Sequence, residues 1–244
     1  MSSSSEPQGL VAIPSDDSND AVPSMPPIQH TRVRESPGNL FDASEGAALI
    51  HACNAQGVWG AGIARAFRER YPAAYQVYRT HCRQLLARRE PNTLINLQSG
   101  NETTIRVWHP LGTALIIPPQ QADLAAGKKR HWIVCLFTSG GYGRQVDPPN
   151  LIVNSTYSAL CDLKRQLQLL DSDQTQGLAG DGDAPTALYS CRFNSGMFGV
   201  SWDRTRSLLD AVGLDVMVVY PFGEEVDDQA SSGCGGARAA RAIT

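Results

Sequence analysis

Long apolar runs are missing from this sequence of 244 residues. No segment approaches the roughly 18 consecutive apolar residues that a membrane-spanning helix needs. The first residues, MSSSSEPQG, also lack the basic and apolar regions of a secretory signal. We therefore expect a soluble protein of the cytoplasm, the nucleus or both, and not a secreted or membrane-bound one.

A strong excess of charge is also lacking, because the net charge is −3 at pH 7. The basic residues are scattered among RERY, CRQLLARR and GKKRHW, so no long basic face with interleaved aromatic residues is predicted. The sequence thus gives no sign of direct nucleic-acid binding. Any anionic partner is expected to be a small molecule that is bound locally.

Pairs of the C-x-x-C type do not occur among the six cysteines. Several cysteines lie within apolar strings such as IVCLF and YSCRF. Free cysteines behave as small hydrophobic residues, so we expect reduced, buried thiols and neither disulfides nor a metal centre. Because no group of His, Cys or Asp has metal-site spacing, the sequence predicts no metal and no other cofactor.

Several catalytic motifs are absent or misplaced. No G-K-[ST] sequence occurs, which excludes a P-loop. A G-x-G-x-x-G fingerprint would need glycine where the sequence has Arg65. Cys82 and Arg88 match a cysteine-phosphatase pattern, but they lie in a predicted helix whose amides are already bonded. DSDQT (171–175) matches an aspartyl-phosphatase pattern but follows a helical segment, so we interpret both matches as coincidences.

The composition divides the chain into one domain and two tails. Residues 1–30 are rich in Ser, Pro and Asp, so burial cannot offset the entropy of ordering them. Residues 223–244 begin with acidic residues and continue with Gly, Ala and Ser. We therefore predict disordered tails at both ends and a folded domain over residues 31–222. Within this domain, the polar, glycine-rich stretch 171–185 is predicted to be a surface loop.

Apolar segments and helical patterns alternate in the predicted domain. The segments typical of strands are 47–53, 93–97, 104–108, 113–118, 132–137, 187–193 and 215–222. Patterns with a helical period occupy 62–70, 72–85, 148–170 and 201–211. Ser201 or Asp203 is placed to cap the last of these helices. This alternation predicts a largely parallel sheet that is covered on both faces.

Three predicted strands are each followed by a glycine-bearing loop and a helix. The segments are HACNAQGVWGAG, LFTSGGYGRQVDPP and RFNSGMFGVSW. In open α/β sheets, ligands bind at the carboxyl ends of the strands, where loop amides and helix N-termini attract anions. Three such loops on one rim are expected to hold an extended ligand, with a diphosphate between the first and third. The alternative is that all three are ordinary strand-to-helix turns.

These segments, with GNLF (38–41) upstream, resemble those of the macrodomain family, whose fold binds ADP-ribose. The resemblance covers residues 32–222 and is closest to the fungal ADP-ribose 1″-phosphate phosphatase branch. It implies an α/β fold, namely a three-layer α/β/α sandwich with a mixed, mostly parallel central sheet. ADP-ribose is expected to lie across the rim of that sheet.

The resemblance also implies the residues of the binding site. Asn39 takes the place of an acidic residue that accepts a hydrogen bond from the adenine amino group, and its side-chain oxygen can accept that bond without the charge. Asn54 corresponds to an asparagine that contacts the distal ribose, and Phe198 is expected to lie against the same ribose. The full set of expected ligand-binding residues is Asn39, Leu40, Ala52, Cys53, Asn54, Trp59, Gly60, Ala61, Gly62, Ile63, Asn194, Ser195, Gly196, Met197, Phe198, Gly199 and Val200.

Two side chains near the loops are candidates for the chemistry. His51 precedes the first loop, and histidine is the side chain most often used for proton transfer, so we expect it to act as a general acid or an orienting group. Asp147 is the acidic residue of the second loop, and we expect it to act as a base or to position water. The alternatives are a core histidine on a strand and an aspartate that caps the helix beginning at Pro148.

Three functions are compatible with this pocket. The first, which the resemblance favours, is a phosphatase that removes the terminal phosphate of ADP-ribose 1″-phosphate, a by-product of tRNA splicing. The second is a hydrolase that releases ADP-ribose from modified proteins, and the third is a non-catalytic module that binds ADP-ribose. The fold does not separate them, because function resides in the site.

Overall fold

The structure, a computed structural model, describes residues 32–99, 103–175 and 184–223. The tails predicted at residues 1–30 and 223–244 lie outside the described residues, apart from Gly223. No helix in the described ranges is long and apolar enough to cross a membrane.

In the described residues, eight strands form two sheets. The strands are β1 (Val33–Pro37), β2 (Ala48–Asn54), β3 (Pro91–Ile95), β4 (Thr104–Trp108), β5 (Ala114–Ile117), β6 (Trp132–Ser139), β7 (Leu188–Ser190) and β8 (Val216–Tyr220). Six of them form the central sheet in the order β1-β8-β7-β2-β6-β5. Its neighbours are parallel except that β5 is antiparallel to β6. The prediction of a mixed, mostly parallel sheet is therefore confirmed.

Helices cover both faces of the central sheet. They are α1 (Gly62–Arg70), α2 (Pro72–Arg88), α3 (Gln121–Ala125), α4 (Pro149–Thr175) and α5 (Trp202–Val212). Phe67 of α1 and Tyr78 of α2 belong to the apolar core on one face of the sheet. Leu160 of α4 and Leu209 of α5 belong to the core on the other face. The expected three-layer α/β/α sandwich follows from this arrangement.

Successive residues of β2 point to opposite layers. Ala48 and Ile50 belong to the core covered by α4 and α5, whereas Leu49 and Cys53 belong to the core covered by α1 and α2. Since strand side chains alternate, His51 shares the face of Leu49 and Cys53. This direction places the His51 side chain in the layer covered by α1 and α2.

The strands β3 and β4 depart from the single sheet that the sequence predicts. They pair with each other as a separate antiparallel hairpin. The hairpin buries Leu94 and Val107, which join Leu111 in a small core, while Trp108 remains 56% exposed. A central strand is buried on both faces, as all residues of β6 are. The hairpin thus has a small core of its own and forms a second, two-stranded sheet.

Two elements and one boundary also differ from the sequence predictions. The sequence analysis misses β1, whose Arg34 and Glu35 interrupt any apolar pattern, and α3, which is only five residues long. Residues 171–175 continue α4 and are not part of the predicted loop. Residues 176–183 of that loop lie outside the described residues.

Candidate functional site

The three glycine loops lie side by side at one edge of the central sheet. The first loop (55–61) follows β2, the second (140–148) follows β6 and the third (191–201) follows β7. Because these strands are parallel to β1 and β8, their carboxyl ends share one edge. Across this rim the order is the end of β1 with Asn39, the end of β8, the third loop, the first loop and the second loop.

Asn54 shapes the first loop. Its side-chain oxygen accepts hydrogen bonds from the N–H groups of Gln56 and Val58 at 3.0 and 3.3 Å, and its amide donates to the Val58 carbonyl at 2.6 Å. The Tyr78 hydroxyl donates to the Asn54 carbonyl at 2.6 Å. The observed role of Asn54 is therefore to fold the loop, and its contact with the distal ribose stays a prediction.

The amino end of α1 opens onto the rim. Ala61 is its N-cap residue, and no side chain caps the helix. The first N–H groups of a helix have no acceptors within it, and Gly60, Ala61 and Gly62 are exposed here while Ile63 is half-buried. A Cβ atom added to Gly62 would meet nothing within 4 Å. This end of the helix can therefore bind an anion such as a diphosphate.

His51 lies in the interior and not at the rim, which corrects our expectation. Its side chain is fully buried, its ring stacks on Phe67 at a centroid distance of 4.1 Å, and the Trp59 ring lies 4.9 Å away. A group without exposed surface cannot touch a bound substrate. His51 is therefore a core histidine, as the alternative interpretation has it. The alternation of β2 could have shown this, since it places His51 beside Leu49 and Cys53.

Three other expected ligand-binding residues form the floor beneath the first loop. Cys53 and Trp59 are buried and Ala52 is half-buried. The Trp59 indole donates to Cys53 Sγ at 3.4 Å. Burial acts to raise the pKa of the Cys53 thiol, but the interactions of the thiol with Cys135, His51 and Trp59 act in the opposite direction and are stronger. The net result is a pKa below the ordinary value of a cysteine. The side chains of Cys53 and Trp59 support the loop from below, so any contact with a ligand falls to the backbone.

Strand pairing brings together three possible metal ligands that the sequence spacing does not reveal. The ligand atoms of His51, Cys53 and Cys135 all lie within 4.8 Å of one another. However, Cys53 Sγ is 3.6 and 3.5 Å from the two ring nitrogens of His51. Such nearly equal distances place the sulfur over the face of the ring, whereas a histidine ligand binds a metal through a nitrogen lone pair in the ring plane. The three side chains are arranged as packed core groups.

The thiols of the described residues match the expectation only in part. All five are free; Cys53, Cys82 and Cys135 are buried, and Cys191 is partly buried. Cys161 is exposed, which corrects the expectation that every thiol is buried. Burial raises the pKa of Cys135 well above its ordinary value.

Asp147 holds the second loop closed. Its Oδ2 atom accepts the N–H of Gly140 at 2.6 Å, and its own N–H donates to Ser139 Oγ at 3.1 Å. The Ser139 hydroxyl donates in turn to the Gly141 carbonyl at 2.9 Å. Within the described residues the carboxylate makes no bond to an amide of α4, so it does not cap that helix. Asp147 is half-buried, and its Oδ1 atom is left for water or substrate.

Asn194 anchors the start of the third loop. Thr138 on β6 donates to its side-chain oxygen at 2.9 Å, and its amide donates to Thr156 Oγ1 on α4 at 2.9 Å. Asn194 is buried and has a φ of +67°, a left-handed conformation that asparagine tolerates better than most residues. Its side chain therefore faces inward, and only its backbone is left to meet a ligand.

The turn of the third loop faces solvent. Its exposed residues are Ser195, Gly196, Met197 and Gly199. Phe198 and Val200 pack instead against Ile152 and Val153 of α4 and against Val146 of the second loop. Ser201 stands at the N-cap position of α5 but makes no capping bond through its side chain, which corrects the expected cap. The loop thus presents backbone amides and an uncapped helix end to the rim.

A partly buried cluster of charged side chains supports the third loop from the β1 side. Glu35 accepts hydrogen bonds from Arg192 at 2.9 Å, Arg206 at 3.0 Å and the Trp202 indole at 3.1 Å. The Arg192 guanidinium also lies over the Tyr220 ring, 4.1 Å from its centroid. The sequence analysis did not identify this group, because its members come from four separate segments.

Asn39 caps the 3₁₀ turn Leu40–Asp42 that follows β1. Its side-chain oxygen accepts the N–H of Phe41 at 3.2 Å, and its amide donates to the Asp42 carboxylate at 3.3 Å. Asn39 is exposed whereas Leu40 is buried. The exposed Asn39 side chain stands at the end of the rim where the resemblance expects adenine.

Phe222 is a functional candidate that the sequence analysis missed. The sequence pattern assigns residues 215–222 to one strand, but β8 ends at Tyr220, and Phe222 is 80% exposed. The Gly38 N–H donates to the Tyr220 carbonyl at 2.8 Å, so both chain segments end at the same place. Phe222 is therefore an exposed aromatic residue just after β8, the strand that pairs with β1.

Relatives among curated proteins identify the family. No protein-family model matches the chain. An ADP-ribose 1″-phosphate phosphatase from Aspergillus fumigatus is 50% identical over 202 residues, which cover 81% of this chain and 98% of the relative. A protein of the same name from Neosartorya fischeri is 48% identical over 203 residues and covers 82% and 98% of the two chains.

Solved structures agree on the fold. The macrodomain of Mycobacterium tuberculosis DarG superposes with a TM-score of 0.52 and 18% identity, covering 78% of this chain and 97% of that one. Thermosipho africanus DarTG in complex with ADP-ribose gives a TM-score of 0.51 and 15% identity, covering 82% and 44%. Such distant likeness shows the fold alone, whereas the curated relatives show the family. This chain belongs to the ADP-ribose 1″-phosphate phosphatase family and has the macrodomain fold.

Proposed function

We infer that this protein is an enzyme that removes the terminal phosphate of ADP-ribose 1″-phosphate. The observation that carries the inference is 50% identity over 98% of the length of a relative with that name. The rim of the central sheet adds the means to hold such a substrate, because it presents three glycine loops next to one another. The reaction joins the oxygen of water to phosphorus and breaks the phosphorus bond to the 1″ oxygen; one proton of the water ends on the 1″ oxygen and the other stays on the phosphate, so ADP-ribose and phosphate are released.

The strand order gives the bound substrate a direction. The end of β1 with Asn39 lies at one side of the rim and the second loop lies at the other. If adenine lies beside Asn39, as the resemblance implies, the chain of groups in the substrate must pass the third and first loops before it reaches the second. The reacting phosphate then lies at the second loop, next to Asp147.

The diphosphate of the substrate is best placed between the third and first loops. The uncapped N-terminus of α1 offers N–H groups on one side. On the other side, the exposed turn at 195–199 offers further amides, and a Cβ atom added to Gly196 or Gly199 would meet open space. Backbone amides at a helix N-terminus bind phosphate through hydrogen bonds and the helix dipole.

Adenine recognition is proposed to combine Asn39 and Phe222. The oxygen of Asn39 already accepts one bond from Phe41, but an amide oxygen has two acceptor sites, so it can accept a second bond from the adenine amino group. Phe222 can stack on the base. Because Asn39 carries no charge, selectivity for adenine over other bases should be weaker than with a carboxylate.

Asp147 is the side chain that we assign to the chemical step. Its Oδ2 atom is held by Gly140, which fixes the carboxylate, and its Oδ1 atom can orient or deprotonate the attacking water. Burial of His51 removes the other candidate from contact with the substrate. The phosphate oxygens that gain charge in the reaction would be stabilised by the amides of the second loop.

The test compares two substrates and one ligand. We expect phosphate release from ADP-ribose 1″-phosphate and no release of ADP-ribose from a mono-ADP-ribosylated protein carrying the modification on acidic side chains. ADP-ribose itself should bind with a Kd on the order of micromolar, about −8 kcal/mol, and AMP should bind more weakly because it lacks the distal ribose. ADP-ribose release without phosphate release would make the protein a de-ADP-ribosylating hydrolase. Binding without either reaction would make it a reader of ADP-ribose.

A further inference from the structure

We propose that Arg144 binds the terminal phosphate and thereby distinguishes ADP-ribose 1″-phosphate from its product, ADP-ribose. This inference rests on the proposed function, and it concerns a residue outside the set that the sequence analysis singled out. The two molecules differ by one phosphate group, which carries a charge of about −1.5 to −2 at pH 7 if it behaves like other phosphate monoesters. A group that recognises this difference must be a donor or a cation at the end of the rim where that phosphate lies.

The strand order places Arg144 at that end. Arg144 lies in the 3₁₀ turn Gly143–Gln145 of the second loop, which follows β6. In the central sheet β1 is at one edge, and β6 is separated from it by β8, β7 and β2. Arg144 therefore lies on the far side of both diphosphate loops from Asn39, on the side of the reacting phosphate.

Other arginines near the loops are already engaged. Four arginines and no lysine occur in the three loops and the first turns of α1, α4 and α5: Arg65, Arg144, Arg192 and Arg204. Arg65 pairs with Glu69 at 2.8 Å, and Arg192 pairs with Glu35 at 2.9 Å. Arg204 donates to the side chain of Asn150 at 3.1 Å.

Arg144, by contrast, is exposed and makes no ion pair with any residue of the described ranges. Its guanidinium is free to meet an incoming anion. An arginine can donate two parallel hydrogen bonds to one phosphate, which a backbone amide cannot do. The side chain therefore has both the charge and the geometry for the terminal phosphate.

The backbone that carries Arg144 is held in place although its side chain is free. The Gln145 N–H donates to the Tyr142 carbonyl at 3.1 Å, and Gln56 of the first loop donates through its side chain to the side chain of Gln145 at 3.2 Å. The turn is also tight, because a Cβ atom added to Gly141 would lie 2.2 Å from the Gln145 carbonyl oxygen. Because the backbone of the turn is already fixed, binding of the phosphate has to order only the Arg144 side chain. The entropy cost of binding is therefore that of one side chain and not of a whole loop.

The positive charge of Arg144 can also offset the repulsion between the Asp147 carboxylate and the substrate phosphate. Asp147 belongs to the same loop, and its carboxylate repels the phosphate that it is proposed to help hydrolyse. The N–H of Gly140 offsets part of this charge. A guanidinium in the same loop can offset the rest, because it attracts the terminal phosphate while Asp147 acts on water.

The experiment measures how strongly the protein prefers ADP-ribose 1″-phosphate over ADP-ribose, in addition to its phosphatase activity. In Arg144→Ala we expect kcat/KM for ADP-ribose 1″-phosphate to fall about 10- to 100-fold, the range for one lost hydrogen bond to a charged group. The loss should lie mainly in KM, and the Kd of ADP-ribose measured by calorimetry should change less than about threefold, which is a small shift by affinity arithmetic. Arg144→Lys should restore part of the loss because it keeps the charge without the two parallel donors.

Arg204→Ala is the matched control, since Arg204 is an exposed arginine next to the third loop that is bonded to Asn150. It should leave both kcat/KM and the ADP-ribose Kd unchanged. The proposal is overturned if Arg144→Ala keeps the wild-type preference, or if it weakens the substrate and ADP-ribose equally, which would show a collapsed loop. If the wild-type protein releases no phosphate, the proposed function fails separately. Competition between the two ligands for binding would then still test Arg144.

Discussion

Asp147 Oδ2 accepts the N–H of Gly140 at 2.6 Å, so one carboxylate near the end of the second loop holds the residue at its start. Asp147→Asn keeps an oxygen for this hydrogen bond but cannot take a proton from water. We expect kcat to fall by about 10²–10⁴, the usual range for a lost general base, with little change in ADP-ribose affinity. Phosphate-release kinetics and calorimetry provide the two readouts. A variant that keeps wild-type kcat would reduce Asp147 to a support of the loop.

His51 is expected to contribute to stability and not to catalysis. Its ring is stacked on Phe67 within the core, so His51→Phe keeps an aromatic ring there. We expect this variant to change kcat by less than about threefold, roughly 0.6 kcal/mol of activation free energy. His51→Ala should instead lower the free energy of unfolding by about 3–5 kcal/mol, as other aromatic-to-alanine changes in cores do. A hundredfold loss of kcat in a stably folded His51→Phe protein would return His51 to the mechanism.

Substitutions at Gly62 test whether the N-terminus of α1 holds the diphosphate. Its φ is +53°, and an added Cβ meets nothing within 4 Å, so a longer side chain would extend into the space above the rim. Gly62→Glu and Gly62→Gln share the same backbone strain, about 1–2 kcal/mol, and nearly the same size. We expect the Glu variant to bind ADP-ribose at least about tenfold more weakly than the Gln variant, a difference of about 1.4 kcal/mol. Equal affinities would place the diphosphate elsewhere, and Gly199→Glu makes the same test for the third loop.

Two thiols with raised pKa values, those of Cys82 and Cys191, should make the protein less stable in alkaline solution. Burial raises the pKa of Cys82 and of Cys191 from 9.0 to about 12. Between these values the unfolded chain loses thiol protons that the folded chain keeps, so the free energy of unfolding falls as pH rises through this window. Cys82→Ala should reduce the steepness of this fall by up to about 1.4 kcal/mol per pH unit. Urea denaturation across the window measures the slope, and Cys161→Ala, which changes an exposed thiol, should leave it unchanged.

Local patterns account for what the sequence predicts well. The helices at 62–70 and 72–85 and the strands around them follow from periodicity and from Pro72, which are properties of neighbouring residues. The glycine spacing of the three loops is equally local. The strand β1 is missed because it is an edge strand with charged residues, and its pairing with β8 joins residues that are far apart in the chain.

For the candidate site, the sequence predicts correctly which backbone segments lie at the rim, but not where the individual side chains point. The loops that carry Gly60 to Gly62 and Ser195 to Gly199 lie on the rim as expected, because glycine loops after parallel strands must share one edge. The side chains are harder to place. His51 turns into the core and Asn194 is used as an anchor, since packing with Phe67 and bonding with Thr138 involve residues from other elements.

The sequence by itself determined the fold class and the three loops, because apolar periodicity and glycine positions act over a few residues, and the expectation of ADP-ribose as the ligand came from the resemblance of those loops to the macrodomain family. The tertiary structure alone decided the order of the loops along the rim, which depends on how distant strands pair. That order sets Asn39 and Phe222 at one end and Asp147 and Arg144 at the other. It also decided which polar side chains reach the rim, since each one is either bound by a partner from another element or left free to meet a ligand.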